Sequence, residues 1–169
     1  MRRLDAAFFR RDVLEVAPQL IGKILVRCYA NGKVDRYRIT ETEAYRGEED
    51  LACHASKGRT PRTEVMYQGG GKVYVYLIYG MYQMLNFVTS IEHEPQAVLI
   101  RGMEGFGGPG KLTRHLQIDK TFYGEDLASS DRIWVEDDNT IPQYTISKRI
   151  GIDYAGEWKD KSWRFILSS

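Results

Sequence analysis

The sequence predicts an α+β fold: a single compact domain with a curved, mostly antiparallel or mixed β-sheet and short helices at its edges. Two pairs of strand-like segments are separated by short turn signals, and repeated βαβ units are missing. Hydrophobic residues make up 43% and charged residues 28% of the chain, which excludes a disordered protein. For 169 residues, one domain spanning 1–169 is expected.

Turn chemistry locates the two hairpins. Asn31-Gly32 and Gly80-Met81 each interrupt a strand-like run, and Asn-Gly is the strongest short-range signal for a hairpin. Apolar or alternating runs then define the remaining strands of the sheet. The predicted strands are residues 23–30, 33–45, 73–79, 82–89, 96–101, 132–136 and 163–167.

Two short helices are predicted beside this sheet. Proline is favoured in the first turn of a helix and glycine just after its end, so Pro18 is expected to open a helix that Gly22 closes. The apolar residues within 111–118 have helical spacing, so a second helix is expected there.

Charge and cysteine content narrow the function classes. Lys and Arg number 24 against 23 Asp and Glu, so any affinity for nucleic acid must come from a local basic patch. Cys28 and Cys53 have no partner at CxxC spacing, and two reduced thiols are expected. No apolar run has the length of a signal peptide or a membrane span, so the expectation is a soluble, intracellular protein without a membrane partner.

Two carboxylates share one face of the strand predicted at 33–45. Because side chains alternate along a strand, Ile39, Glu41, Glu43 and Tyr45 are expected to point the same way. A partly desolvated carboxylate has a raised pKa and can act as a general base near neutral pH. An exposed ladder of carboxylates paired with neighbouring arginines fits the same pattern, so both interpretations stay open.

Tyrosines are concentrated around the second hairpin. Tyr74 and Tyr76 share a strand face, and Tyr79 is expected to project from the hairpin tip, where an aromatic ring can wedge between stacked bases. Tyr45 and Tyr76 could together sandwich a flat base. Ordinary cross-strand packing of tyrosines is the alternative.

Two polar residues interrupt apolar strands. Asn86 must either be satisfied by hydrogen bonds in the core or read a ligand. Arg101 follows three apolar residues and could bind a phosphate or orient a carboxylate, and a structural salt bridge fits equally well.

A phosphate-loop pattern at residues 105–112 is rejected. The segment matches G-x-x-x-x-G-K, but Leu112 stands where a magnesium-binding Ser or Thr is required, and Pro109 removes an amide donor. The chain also lacks the βα repeats of such folds, which argues against nucleotide hydrolysis. The loop and Lys111 remain candidates for holding a DNA phosphate.

Six sequence blocks resemble one protein family in the same order along the chain. These blocks are RITETEAYRGEEDLACHA, RTPR, VYVYLIYGMYQMLN, AVLIR, GPGKL and YAGEW. They are similar to the alkyladenine (3-methyladenine, methylpurine) DNA glycosylases, the type without a helix-hairpin-helix. The similarity runs from about Leu4 to Leu167, and its TEAY and YVYxIYGMYxxxN blocks are long and specific.

The resemblance implies a base-excision-repair enzyme that acts on double-stranded DNA containing damaged purines. Its substrates would be alkylated or deaminated purines of the 3-methyladenine, 7-methylguanine, hypoxanthine and ethenoadenine class, and its product an abasic site. It implies a monofunctional monomer that uses water as the nucleophile, without a metal or other cofactor. Its location would be cytoplasmic, with the nucleoid in a bacterium, or nuclear in a eukaryote. The alternatives are a non-catalytic protein that binds lesions in DNA and a nucleoside hydrolase.

The same resemblance implies individual residue roles. Glu43 would be the general base, and Arg101 would help to hold the water and the backbone. Tyr79 would fill the gap left by the flipped nucleotide, and Asn86 would disfavour guanine in the base pocket. The other pocket walls would be Tyr45, His54 and Tyr76, and the DNA-backbone contacts would be Arg59, Arg62, Lys72 and Lys111.

The chain departs from the family pattern after Arg101. It passes through Gly-Met-Glu-Gly-Phe-Gly directly to GPGKL, where members of the family usually carry a longer, partly helical insertion. A shorter support for DNA is therefore expected in this region.

Overall fold

A computed structural model describes residues 1–168 and confirms the predicted α+β class. Within those residues, ten strands form one sheet and three α-helices are short. The strands are β1 Arg2–Arg3, β2 Ile24–Cys28, β3 Val34–Arg46, β4 Val73–Ile78, β5 Tyr82–Thr89, β6 Gln96–Met103, β7 Phe106–Gly107, β8 Ile133–Asp137, β9 Tyr144–Ser147 and β10 Arg164–Leu167. The helices are α1 Ala6–Phe9, α2 Val13–Leu20 and α3 Pro109–His115, with 3-10 turns at His54–Lys57, Glu64–Tyr67, Lys120–Phe122 and Asp153–Asp160.

The sheet is organised around β3, its longest strand. The strand order is β1-β8-β2-β3-β6-β5-β4, and every pairing between the described strands is antiparallel. Strand β10 lies along the edge of β3 opposite to β6, so Glu43 is paired with Leu99 on one side and Arg164 on the other. Glu43 therefore sits in the interior of the sheet, with its backbone fixed from both edges.

Both predicted hairpins are present. Strands β2 and β3 pair on either side of Asn31-Gly32, and β4 and β5 pair on either side of Gly80-Met81. Gly32 has a φ of 86°, the left-handed conformation that glycine adopts without strain.

The prediction that Pro18 opens a helix is wrong. Helix α2 begins at Val13, because the Asp12 carboxylate caps it by accepting the Leu14 N–H at 2.9 Å. Pro18 lies in its last turn, and the chain leaves the helix at Gly22, whose φ is 84°. Helix α3 occupies residues 109–115 rather than 111–118.

One residue of the predicted carboxylate face points elsewhere. The pairing of β3 with β6 shifts register between Ile39 and Thr42, which marks a β-bulge or irregularity. Ile39 belongs to the main core with Ala44, whereas Tyr45 packs against two smaller clusters. The interruption of strict alternation explains why Ile39 does not share the side of Glu43 and Tyr45.

The apolar interior is divided into a main core and two smaller clusters. The main core joins helices α1, α2 and α3 to the sheet. One small cluster packs Cys53, Met66 and Tyr74 beneath Tyr76, and the other contains Ala52 and Ile152. Tyr45 packs against both small clusters, and the space between them is open. Among residues 1–168, no helix has the length and apolar character needed to cross a membrane.

Candidate active site

A cavity of about 540 Å³ lies between the two small clusters. This volume is within the range of small-molecule sites and can admit a heterocyclic base. Strand β3, the β4–β5 hairpin and β6 supply one part of its wall, and residues 150–154 supply another. The predicted site residues that line it are Glu43, Tyr45, His54, Arg62, Tyr76, Tyr79, Asn86 and Arg101.

Glu43 lies against the cavity with its side chain fully buried. The Tyr45 hydroxyl donates to its Oε1 at 2.9 Å, and the Ile150 N–H donates to its Oε2 at 2.7 Å. Burial raises the pKa of Glu43, while Arg101, the Ile150 N–H and the Tyr45 hydroxyl oppose that rise. Burial also raises the pKa of Tyr45, so the phenol stays protonated as a donor. This carboxylate is restrained in one orientation and has the raised pKa that suits a general base.

Arg101 is held between two carboxylates. Its Nε lies 3.1 Å from Glu41 Oε2, and its Nη1 lies 3.9 Å from Glu43 Oε1. Arg164 Nη1 also lies 3.1 Å from Glu41 Oε2. Glu41 thus makes the closer ion pairs of the two carboxylates, and it orients Arg101 beside the buried carboxylate, Glu43.

His54 and two tyrosines form an aromatic wall. His54 Nδ1 and the Tyr74 hydroxyl are 2.7 Å apart, and the ring centroids of His54 and Tyr76 are 4.3 Å apart. Burial, together with the charges of Arg62 and Lys57, lowers the pKa of His54 to about 4. The imidazole is therefore neutral at pH 7, and its other ring nitrogen can exchange a hydrogen bond with a ligand.

Asn86 is satisfied by hydrogen bonds within the protein and also borders the cavity. Its Nδ2 donates to the carbonyls of Tyr74 and Met84 at 3.2 and 3.3 Å, so its amide hydrogens are satisfied by the protein. The same side chain lines the cavity. Its amide is therefore fixed by the strands at the wall of the cavity.

Tyr79 lies at the tip of the β4–β5 hairpin and is 84% exposed. Its φ is 53° and that of Gly80 is 67°, and Met81 N–H donates to the Ile78 carbonyl at 3.2 Å. A left-handed conformation of a residue other than glycine costs roughly 1 kcal/mol or more. A large exposed ring is thus held in a strained turn at the mouth of the cavity.

The four basic residues predicted to contact DNA are not equivalent. The guanidinium carbon of Arg62 lies 5.2 Å from the Tyr76 ring centroid, and Arg62 lines the cavity. The other three lie away from the cavity wall. Arg59 pairs with Glu64 at 2.8 Å and Lys72 with Asp126 at 3.6 Å, while Lys111 is exposed in the first turn of α3.

The sequence matches one enzyme family over nearly its whole length. Residues 7–107 and 106–169 match the profile described as Methylpurine-DNA glycosylase (MPG). The chain belongs to the methylpurine-DNA glycosylase family.

Relatives of this glycosylase have similar lengths. A protein of Psychrobacter cryohalolentis is 45% identical over 189 residues, which cover 95% of this chain and 89% of the relative. A protein of Natranaerobius thermophilus is 44% identical, with 98% and 95% covered, and one of Desulfitobacterium hafniense is 45% identical, with 99% and 96% covered. Each carries the provisional name 3-methyladenine DNA glycosylase. The family and the prediction of a DNA glycosylase are thus confirmed.

The family match changes segment at the β6–β7 hairpin. Its two segments meet at residues 106–107, and the alignments with relatives are longer than this 169-residue chain. In the glycosylase, β6 turns directly into β7, and Gly108 N–H donates to the Arg101 carbonyl at 3.0 Å. Pro109, the next residue, lines the cavity. A short hairpin therefore connects Arg101 to helix α3, and Arg101 and Pro109 both line the cavity.

One wall of the glycosylase cavity was missed by the sequence analysis. Ile150, Gly151, Ile152 and Tyr154 all line it, and Ile150 contributes the N–H that binds Glu43. The only local signal is an R-I-G-I run of small and apolar residues before a mostly polar stretch. Nothing in that run indicates that it contacts a carboxylate 107 residues earlier in the chain.

Proposed function

We propose that this glycosylase hydrolyses the N-glycosidic bond of alkylated or deaminated purines in double-stranded DNA and leaves an abasic site. The substrates would be 3-methyladenine, 7-methylguanine, hypoxanthine and ethenoadenine. The observation that carries this proposal is a fully buried carboxylate, Glu43, held by two hydrogen-bond donors at the wall of an aromatic cavity. The enzyme would act on its DNA substrate as a monomer.

Access to the glycosidic bond requires that the nucleotide leave the helix. Unstacking and unpairing a nucleotide costs roughly a few kcal/mol, and less when the base is damaged. Tyr79 offsets part of this by occupying the vacated space, since its exposed ring stands at the cavity mouth.

The side chains that line the cavity select among the bases that enter. An alkylated purine can be cationic, and the electron-rich rings of Tyr45 and Tyr76 hold a cation better than a neutral base. A neutral base such as hypoxanthine gains a hydrogen bond from His54 instead, because that imidazole is neutral. Asn86, fixed by two backbone carbonyls, would clash with the 2-amino group of unmodified guanine. The cationic 7-methylguanine carries the same group, and the attraction of its charge to the aromatic rings would offset that clash.

Water is the proposed nucleophile. As the bond between C1′ and the base nitrogen breaks, its electron pair leaves with the base, and the Glu43 anion stabilises the developing cationic sugar. A water oxygen then bonds to C1′, and one of its protons passes to Glu43. Arg101 helps to hold the water and the DNA backbone, and no lysine Schiff base forms.

The test is Glu43→Gln. This change keeps the shape of the side chain but removes the base, so excision is expected to fall by about 100-fold or more while binding to lesion DNA survives. Alkali cleavage of duplex oligonucleotides containing hypoxanthine or ethenoadenine measures excision, and Glu49→Gln, an exposed carboxylate outside the cavity, is the matched control.

Three outcomes would contradict the proposal. Wild-type excision by the Glu43→Gln variant would remove Glu43 as the general base. Tight binding of lesion DNA by the wild-type protein without alkali-sensitive sites would indicate a lesion-binding protein. Hydrolysis of free inosine without DNA would indicate a nucleoside hydrolase.

A further inference from the structure

Arg149 and Asp50 form an ion pair whose two side chains are both 0% exposed. Arg149 Nη1 lies 2.6 Å from Asp50 Oδ2, and Nη2 lies 3.1 Å from Oδ1, so the contact is bidentate. Asp50 also accepts the backbone N–H groups of Arg46 and Ala52, each at 3.0 Å. The pair therefore joins the turn after β3 to the segment that follows β9.

Stability alone is a poor explanation for this pair. Removing two charges from water is unfavourable, and well-packed apolar side chains often replace buried ion pairs without loss of stability. Within residues 1–168, Arg149 Nε is buried and has no hydrogen-bond partner. The cost of this unsatisfied donor directs attention to the groups that Arg149 holds in place.

The neighbours of Arg149 are the groups that restrain Glu43. Arg149 Nη1 donates to the Ala44 carbonyl at 3.0 Å, and its guanidinium carbon lies 5.0 Å from the Tyr45 ring centroid. The following residue, Ile150, donates its N–H to Glu43 Oε2. One side chain thus fixes both hydrogen-bond donors of the carboxylate, the Tyr45 hydroxyl and the Ile150 N–H.

We propose that Arg149 and Asp50 are positioning residues for base excision, which hold the Tyr45 hydroxyl and the Ile150 N–H against the two oxygens of Glu43. Neither residue lines the cavity, so both act through Glu43 rather than on the substrate. The inference rests on the proposed role of Glu43 as the general base.

Loosening the pair has a defined chemical consequence. The Ile150 N–H and the Tyr45 hydroxyl both lower the pKa of Glu43 against the effect of burial. Their displacement raises that pKa, so a larger fraction of Glu43 is protonated at neutral pH and cannot accept a proton. The rising part of the pH–rate profile therefore moves to higher pH.

The experiment compares Arg149→Lys and Asp50→Asn with Arg27→Lys. Arg27 is a matched control because it is also buried, donates to the Leu116 and Cys28 carbonyls, and lies outside the cavity wall. Single-turnover excision of hypoxanthine from a duplex is measured from about pH 5 to 9, with thermal unfolding and duplex binding alongside.

The two test variants are expected to lose about 10- to 100-fold in excision rate at neutral pH. Their pH midpoint should rise by at least about half a unit, while duplex affinity changes by less than about threefold. Arg27→Lys should lower the melting temperature and keep the wild-type midpoint. Loss of rate only in proportion to unfolding, with an unmoved midpoint, would overturn the proposal.

A third variant keeps the test decisive if the first two variants fold poorly. Trp163→Leu removes the ring whose centroid lies 4.9 Å from the Arg149 guanidinium carbon and leaves both charges of the ion pair in place. It should shift the midpoint in the same direction, and an unchanged midpoint there also overturns the inference. Failure of the proposed function looks different: the wild-type enzyme excises nothing, or Glu43→Gln retains its activity.

Discussion

Two regions of the candidate site, the buried carboxylate Glu43 and the hairpin tip at Tyr79, differ in how exposed and how firmly held they are. Glu43 is fully buried, paired through its strand on both edges and bound by two hydrogen-bond donors. Tyr79 is 84% exposed, and its side chain makes no hydrogen bond within the described residues. Proton transfer, the role proposed for Glu43, requires a group fixed to within a fraction of an ångström, whereas insertion into DNA, the role proposed for Tyr79, requires a ring that reaches beyond the protein.

Strain distinguishes the two regions further. The Glu43 backbone lies in a regular strand, while Tyr79 adopts a φ of 53° that is unfavourable for its side chain. Many contacts therefore order the buried region around Glu43. Few contacts support the unfavourable backbone conformation of Tyr79 at the tip. Mutations in the two regions should then have different signatures in activity and stability.

The largest expected effect in this comparison is that of Arg101→Gln. Arg101 lowers the pKa of Glu43, so its removal raises that pKa and leaves less of the carboxylate ionised at neutral pH. Excision of hypoxanthine is expected to fall about 100-fold, with recovery as the pH increases. Arg164→Gln is the control, because the Arg164 guanidinium also binds Glu41 but makes no ion pair with the Glu43 carboxylate, which its strand meets only through the backbone. Equal effects of the two changes would contradict this account.

The next effect concerns the tip. Tyr79→Ala should reduce excision about tenfold or more, because stacking of a ring with bases contributes about 1 to 3 kcal/mol. The melting temperature should not change, since the ring is exposed. Fluorescence of 2-aminopurine beside the lesion reports how much of the nucleotide is flipped, and Tyr79→Phe should behave as wild type. A flipping signal that survives Tyr79→Ala would assign the wedge elsewhere.

A pH effect on stability sharpens the buried side of the comparison. The pKa of His54 is about 4 in the folded protein and 6.5 in the reference state, so the unfolded chain binds more protons between those values. The contribution of His54 to the free energy of unfolding is therefore fully present above pH 6.5. It falls as the pH decreases toward 4, by on the order of 2 kcal/mol. Urea unfolding of the wild type and of His54→Gln at several pH values isolates this difference. Identical pH dependence in both proteins would show that His54 does not carry it.

The smallest effect tests the strain itself. Asparagine tolerates the left-handed conformation better than tyrosine, so Tyr79→Asn should raise the free energy of unfolding by about 0.5 to 1 kcal/mol while it lowers excision. Met81→Asn changes a neighbouring exposed residue whose φ is not positive, and no such gain is expected from it. Chemical denaturation measures both. Equal changes would mean that the tip stores no strain.

Local patterns in the sequence predicted much of the sheet. The turn dipeptides at 31–32 and 80–81 act on adjacent strands, so both hairpins could be placed from short segments. The same locality put Tyr79 at a tip and Asn86 within an apolar strand. The predicted start of the first helix was wrong, because the Asp12 cap starts α2 at Val13 and Pro18 lies inside the helix.

The support of the site could not be predicted in the same way. Ile150 and Arg149 reach Glu43 and Asp50 across 107 and 99 residues, and no periodicity in either segment encodes such a contact. The irregularity that separates Ile39 from the side of Glu43 depends on how β3 pairs with β6, which a single strand does not reveal. The roles of the pocket residues and of the four basic residues stay predictions.

The position of Glu43 on β3 also determines how its backbone can separate from the sheet. Because β6 and β10 hold opposite edges of β3, releasing this stretch requires both ladders to separate together. Its amide protons should therefore exchange with solvent about as slowly as those of the most protected part of the sheet. The backbone around Glu43 is therefore expected to open only when the sheet as a whole unfolds.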